Sequence, residues 1–151
     1  MRIKRLHEKA IKPQYATGGA GAFDIYCYED VEWIHTNSNT WEATINTGWA
    51  FEVPQDFALL LFSRSGHGFK YNITLANCVG VIDSDYRGEV KVKLVGKNYF
   101  TGEIKAGTAI AQAILIPAPQ MGLIEADELT ETIRGKNGFG STDRGEFNET
   151  L

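Results

Sequence analysis

Glu89-Val90-Lys91-Val92-Lys93-Leu94-Val95 alternates apolar and charged side chains with a period of two. That period places Val90, Val92 and Leu94 on one face of a strand and Lys91 and Lys93 on the other, the pattern of a sheet with one face on a core and one in water. Similar runs occupy Val31 to His35, Trp41 to Ile45, Trp49 to Val53, Phe57 to Phe62 and Ala109 to Ile116. Turn-forming clusters separate them: Thr36-Asn37-Ser38-Asn39-Thr40, Thr47-Gly48, Pro54-Gln55-Asp56 and Gly96-Lys97-Asn98. Short strands at close spacing predict an all-β sandwich or barrel of the jelly-roll kind. Helix signal is confined to Asp127 to Ile133, where an acidic start predicts a single turn.

The chain has 151 residues, of which 43% are hydrophobic, enough for one domain with its own core and no disulfide or metal staple. The longest apolar stretches fall far short of the roughly 20 residues of a spanning helix. The net charge is −4 and the basic residues are scattered, so neither nucleic acid nor a membrane is an expected partner. Met1-Arg2-Ile3-Lys4-Arg5 leads into polar residues rather than an apolar signal segment, so the expected location is cytoplasmic. Cys27 and Cys78 are then expected to be reduced and buried, and the sequons at Asn72 and Asn148 accidental. His7, His35 and His67 lack zinc-ligand spacing, and neither a P-loop nor a nucleophile elbow occurs.

Polar groups where the strand pattern expects apolar ones mark candidate chemistry. Gln112 falls in phase with Ile110, Ile114 and Ile116, so its amide needs a partner. Asp24 stands between Phe23 and Ile25, and Asp83 directly follows Val81-Ile82; a carboxylate embedded in a strand is costly unless paired or ligand-bound. Ser63-Arg64-Ser65-Gly66 combines small residues and a fixed cation, a composition that can present N–H groups to a phosphate. From Arg134 to Gly145, four glycines in twelve residues accompany one large apolar side chain, Phe139. Such a segment cannot offset its ordering entropy by burial. The division expected is a β domain over residues 1–133 and a flexible arm over 134–151, either a frayed terminus or, as Phe139 argues, a lid.

These segments, in order, resemble the five motifs of the trimeric-type dUTP diphosphatase (dUTPase) family: Gly21-Ala22-Phe23-Asp24-Ile25, Ser63-Arg64-Ser65-Gly66, Gly80-Val81-Ile82-Asp83-Ser84-Asp85-Tyr86-Arg87-Gly88, Gly107-Thr108-Ala109-Ile110-Ala111-Gln112, and Arg134-Gly135-Lys136-Asn137-Gly138-Phe139-Gly140-Ser141-Thr142. The resemblance implies a jelly-roll or distorted-barrel subunit forming a homotrimer with sites shared between chains. It implies Mg²⁺-dependent hydrolysis of dUTP to dUMP and diphosphate, which keeps uracil out of DNA and supplies dUMP. Asp83 would hold the sugar 3′-OH and activate water; Tyr86 would pack on the deoxyribose; Asn77, Gly80, Val81 and Ile82 would receive uracil, with Phe139 stacking on it. Arg64, Ser65, Gly66, Gln112, Arg134, Gly140, Ser141 and Thr142 would hold the phosphates. Mg²⁺ would ride on those phosphates, with Asp24 near it indirectly.

Ser63 stands where proline is usual, Ala109 where a basic or polar side chain is common, and Asp143 where glycine is usual. Two alternatives stay open: a dCTP deaminase of the same fold, although Val90 to Val95 lacks the glutamate that chemistry uses, and a non-catalytic nucleotide-binding regulatory jelly roll.

Overall fold

The computed structural model describes residues 1–37, 39–97 and 103–138. Its compact unit runs from Met1 to Gln120, and residues 121–151 form a second unit. Among the described residues, eleven strands and one short helix follow in order: β1 (Arg2–Arg5), β2 (Gln14–Tyr15), β3 (Phe23–Tyr26), β4 (Ile34–Asn37), β5 (Thr40–Asn46), β6 (Trp49–Glu52), β7 (Phe57–Phe62), α1 (Ser65–Tyr71), β8 (Ile73–Leu75), β9 (Val79–Ile82), β10 (Lys91–Lys97) and β11 (Ala109–Pro117). They make a five-stranded sheet β2-β3-β11-β7-β9, a four-stranded sheet β4-β5-β10-β8 and the pair β1-β6, all antiparallel. This is the expected all-β, jelly-roll-like architecture.

The alternation in β10 sets the inner face. Val90, Val92 and Leu94 are each 1% exposed, while Lys91 and Lys93 point outward. They pack with Ile25, Cys27, Phe51, Leu59, Ile73 and Ile110, each burial contributing roughly 1.5–3 kcal/mol for a large aliphatic or aromatic side chain. The buried Thr47 is satisfied: its Oγ1 donates to Val90 O at 2.7 Å and accepts the Trp49 N–H.

Several expectations are corrected. No helical turn forms over 127–133; Leu129 and Ile133 are 89% and 108% exposed, so nothing rewards the ordering. The helix instead forms at Ser65–Tyr71, stopped by Asn72 at φ 52°, whose N–H donates to Gly68 O. Asparagine tolerates this left-handed stop, the local signal that the two glycines of α1 obscured. Cys27 is buried as expected, but Cys78 is exposed, at φ 60° in the β8–β9 turn. Gln112 does not share a buried row with Ile110: a register shift between Ala109 and Ala111 takes Ile110 inward with Ala111 and Ala113. Gln112, Ile114 and Ile116 therefore lie on the outer face of the sheet, in register with Phe62, Leu60 and Ala58 of β7, which continue into Val79 and Val81 of β9.

Candidate active site

Two groups of candidate residues assemble at different places on the five-stranded sheet. The first arises because Asp24 of β3 lies opposite Gln112 of β11, and Gln112 lies opposite Phe62, the last residue of β7. The chain leaving β7 therefore delivers Ser63 and Arg64 beside Asp24. Arg64 Nε donates to Asp24 Oδ1 at 3.1 Å and its Nη1 to Ala109 O at 3.3 Å. Gln112 Nε2 donates to Ser63 O at 3.2 Å, and Ser63 Oγ accepts the Leu75 N–H at 2.8 Å. The Asp24 side chain is mostly covered while that of Arg64 is 34% exposed, so the carboxylate orients a guanidinium that keeps an accessible face. Ser65 and Gly66 are exposed beside it. Motifs one, two and four of the sequence thus become one polar cluster around the Arg64 guanidinium.

His67, in the first turn of α1, is buried, and its Nδ1 has no hydrogen-bond partner among the described residues. Burial pushes the imidazole below its ordinary value, and the Arg64 cation acts in the same direction. The folded chain keeps the ring neutral while the unfolded chain takes up a proton below about pH 6.5. Because the folded value is the lower one, this contribution costs nothing above that pH, and stability is lost as pH falls below it. His67→Leu is expected to flatten the fall of Tm between about pH 7 and 5; an unchanged slope would assign the titration to another group.

The second group is built on the β8–β9 connection. β9 pairs with β7 on one side only, so Val79–Ile82 is an edge strand with a row of main-chain groups turned away from the sheet. Asn77, Gly80, Val81 and Ile82 line a hollow of about 380 Å³ between this edge and β10. A side chain at Gly80 would approach Leu61 Cβ to 3.2 Å and Asn77 Nδ2 to 3.7 Å, so glycine keeps the hollow open. An adjoining hollow of about 310 Å³ is lined by Val81, Ile82, Asp83 and Tyr86. Asp83 is not embedded in the strand as expected: β9 ends at Ile82, and Asp83 is the exposed first residue of the turn beyond it. That turn is held by the Tyr86 N–H on Asp83 O, by Arg87 Nη1 on Ser84 O and Tyr86 O, and by the Tyr86 hydroxyl, which donates to Glu89 O at 3.0 Å. A Cβ at Gly88 would run into the Tyr86 ring, so glycine leaves room for that ring to lie across the turn. The Arg87 clamp is a contribution that sequence reasoning missed, and nothing in local pattern distinguishes it from a solvated arginine.

The two groups do not meet within one chain. Position 83 lies four residues beyond Val79, about 13 Å along the strand, and Arg64 is bonded near β3 and β11, across β7 from β9. Strand spacing then puts Arg64 roughly 15–20 Å from Asp83. Arg134, in the second unit, is exposed and its Nε donates to Asn137 O. Phe139, Gly140, Ser141 and Thr142 lie outside the described residues. Among the described residues no three His, Cys, Asp or Glu side chains converge on a metal position.

A β jelly roll whose sheet edge borders two small hollows, and which holds an oriented arginine elsewhere on the same sheet, has the features of a small-molecule-binding β protein. The dUTPase family model matches residues 8–143, and the chain belongs to that family. The deoxyuridine 5'-triphosphate nucleotidohydrolase of Nautilia profundicola is 43% identical over 142 residues, covering 94% of this chain and 97% of that protein. Its counterpart in Hydrogenobaculum sp. is 39% identical over 140 residues, covering 93% and 95%. Among solved structures, the Staphylococcus bacteriophage 80alpha dUTPase with dUpNHpp superposes with a TM-score of 0.80 at 22% identity, over 93% of this chain and 96% of that one, a likeness of fold. A phage phi11 dUTPase, with a TM-score of 0.73 over 86% of this chain and 98% of that one at 21% identity, is described with a structural Mg(II) ion.

Proposed function

We propose that the chain hydrolyses dUTP to dUMP and diphosphate, as a homotrimer whose sites combine the β9 slot of one subunit with the Arg64 cluster of another. The observation that carries this reading is the edge strand Val79–Ile82 ended by Asp83 and Tyr86. Its main-chain donors and acceptors complement the fixed row of uracil, and cytosine would leave buried groups unpaired, a discrimination worth far more than shape alone. Uracil in the Asn77–Gly80 hollow and sugar in the Asp83–Tyr86 hollow direct the phosphates away from the same chain's Arg64. A neighbouring subunit must therefore bring Arg64, Ser65, Gly66 and Gln112. The half-exposed apolar row Phe62, Leu60, Ile114, Ile116 and Val81 supports that assembly, as do Met121, Leu123 and Ile124 at 79–99% exposure in the isolated chain.

Asp83 accepts the proton of the attacking water, a task its exposed position at the head of the turn allows, and its second role is to hold the 3′-OH. Arg64, oriented by Asp24, and the Gln112 amide oppose the charge on the phosphates. Mg²⁺, a hard cation that prefers phosphate and water oxygens, would be carried by the substrate phosphates and would supply charge neutralisation there. Asp24 serves this arrangement through Arg64. The arm from Arg134 onward, with Phe139 on uracil and Arg134, Gly140, Ser141 and Thr142 on the phosphates, is read as a lid. No helix of the described residues is long and apolar enough to cross a membrane, and the proposed setting is cytoplasmic.

The test is diphosphate release from dUTP, dCTP and UTP with Mg²⁺, with ammonia measured alongside; ammonia from dCTP, or no product from dUTP, contradicts the proposal. Tyr86→Ala is expected to raise the kcat/KM ratio of UTP to dUTP by about tenfold or more, since the ring excludes a 2′-OH sterically; an unchanged ratio places sugar selection elsewhere. Deleting residues 134–151 is expected to leave Tm within a few degrees and lower kcat by tenfold or more, and full activity would remove the lid.

A further inference from the structure

Glu89 lines the sugar hollow together with Tyr86, three residues before it. Tyr86 is 43% exposed, and its hydroxyl donates to Glu89 O at 3.0 Å. The peptide that receives this bond is gripped from its other side, where the Val90 N–H donates to Trp49 O at 2.9 Å. The Glu89 carboxylate adds a second tie, Oε1 accepting the Gly48 N–H at 2.8 Å. Both partners belong to the turn between β5 and β6. Gly48 is buried there at φ 71°, enclosed by Ala10, His7 and Tyr28, and Thr47 Oγ1 bonds the same turn to Val90 O. Glu89 therefore joins a fixed, buried turn to an exposed aromatic wall.

We propose that Glu89 is a positioning residue for sugar selection: its carboxylate anchors the peptide that holds the Tyr86 hydroxyl, and so fixes the ring that excludes a 2′-OH. The inference rests on the reading of this hollow as the deoxyribose site. Steric selection tolerates little play, since a wall that moves by about an ångström admits one more oxygen. An exposed ring has few packing contacts to keep it still, so its hydroxyl bond and the peptide receiving that bond set its place. The buried Gly48 N–H needs an acceptor, and a carboxylate oxygen is a strong one. Because the partner is a main-chain N–H rather than a cation, an amide oxygen of equal reach should serve in its place.

The test is kcat/KM of the full chain for dUTP and UTP, with Mg²⁺, beside a melting curve. Glu89→Ala is expected to raise the UTP-to-dUTP ratio about fivefold, and Glu89→Gln to keep it within about a factor of two of the parent. A merely structural loss lowers both substrates alike and leaves the ratio unmoved. Glu89→Asp, which keeps the charge but falls short of Gly48, should shift the ratio in the same direction and serves if Glu89→Ala melts too low to assay. An unchanged ratio in either shortened variant, or a rise in Glu89→Gln as large as theirs, overturns the proposal. Since Glu89 acts through Tyr86, the double variant with Tyr86→Ala and Glu89→Ala should match Tyr86→Ala alone, and a further rise would also overturn it. Tyr86→Ala by itself separates the two layers. An unchanged ratio there removes the sugar-hollow reading, whereas a raised ratio there with none in Glu89→Ala removes only the anchor.

Discussion

Asp83→Asn is expected to lower kcat for dUTP by at least about a hundredfold while KM changes only a few-fold, the signature of removing a general base. Asparagine keeps the size and hydrogen-bonding reach of the side chain, so the 3′-OH contact survives and only the proton acceptor is lost. The turn that carries it should not collapse, because it is held by Arg87 on the Ser84 and Tyr86 carbonyls and by the Tyr86 hydroxyl on Glu89 O, none of which involves the Asp83 carboxylate. Steady-state kinetics with dUTP checks this, beside a melting curve. Turnover within threefold of the parent would move the base elsewhere.

Arg64→Ala is expected to cost about a hundred- to a thousandfold in kcat/KM, the usual penalty for deleting an oriented group that opposes developing charge. It should also unpair the largely covered Asp24 carboxylate, which leaves a charge in a partly buried place and lowers Tm. The second effect separates this residue from Gln112, whose amide, among the described residues, donates to Ser63 O and whose loss should spare stability. Asp24→Asn gives the complementary result: the guanidinium remains but is less well aimed, so a smaller loss than that of Arg64→Ala is expected. A loss equal to that of Arg64→Ala would mean that Asp24 acts on the substrate or its metal directly.

The alternation at Val90, Val92 and Leu94 was legible because it reports a local fact, one wet and one dry face, that the fold obeys. The position of Gln112 was not, because the register shift at Ile110 changes which row faces inward, and a bulge depends on the partner strand rather than on the strand's own residues. α1 was illegible for a similar reason. Gly66 and Gly68 argue against a helix locally, and burial of His67 together with the left-handed Asn72 overrides them. For the site, the residue types of motifs one, two and four indicated charge and phosphate, but only the three-strand register shows that they form one cluster and that Asp24 acts on Arg64. That the cluster stands far from Asp83 in the same chain follows from strand pairing alone.

The central claim is that Asp83 and Arg64 serve one nucleotide from two different chains. Asp83→Asn and Arg64→Ala chains, each nearly inactive alone, should be co-refolded in equal amounts and assayed with dUTP. In random trimers one site in four pairs an intact Asp83 with an intact Arg64 from the neighbour, so activity is predicted to return to about a quarter of the parent value. A mixture no more active than the two variants measured separately would contradict the account.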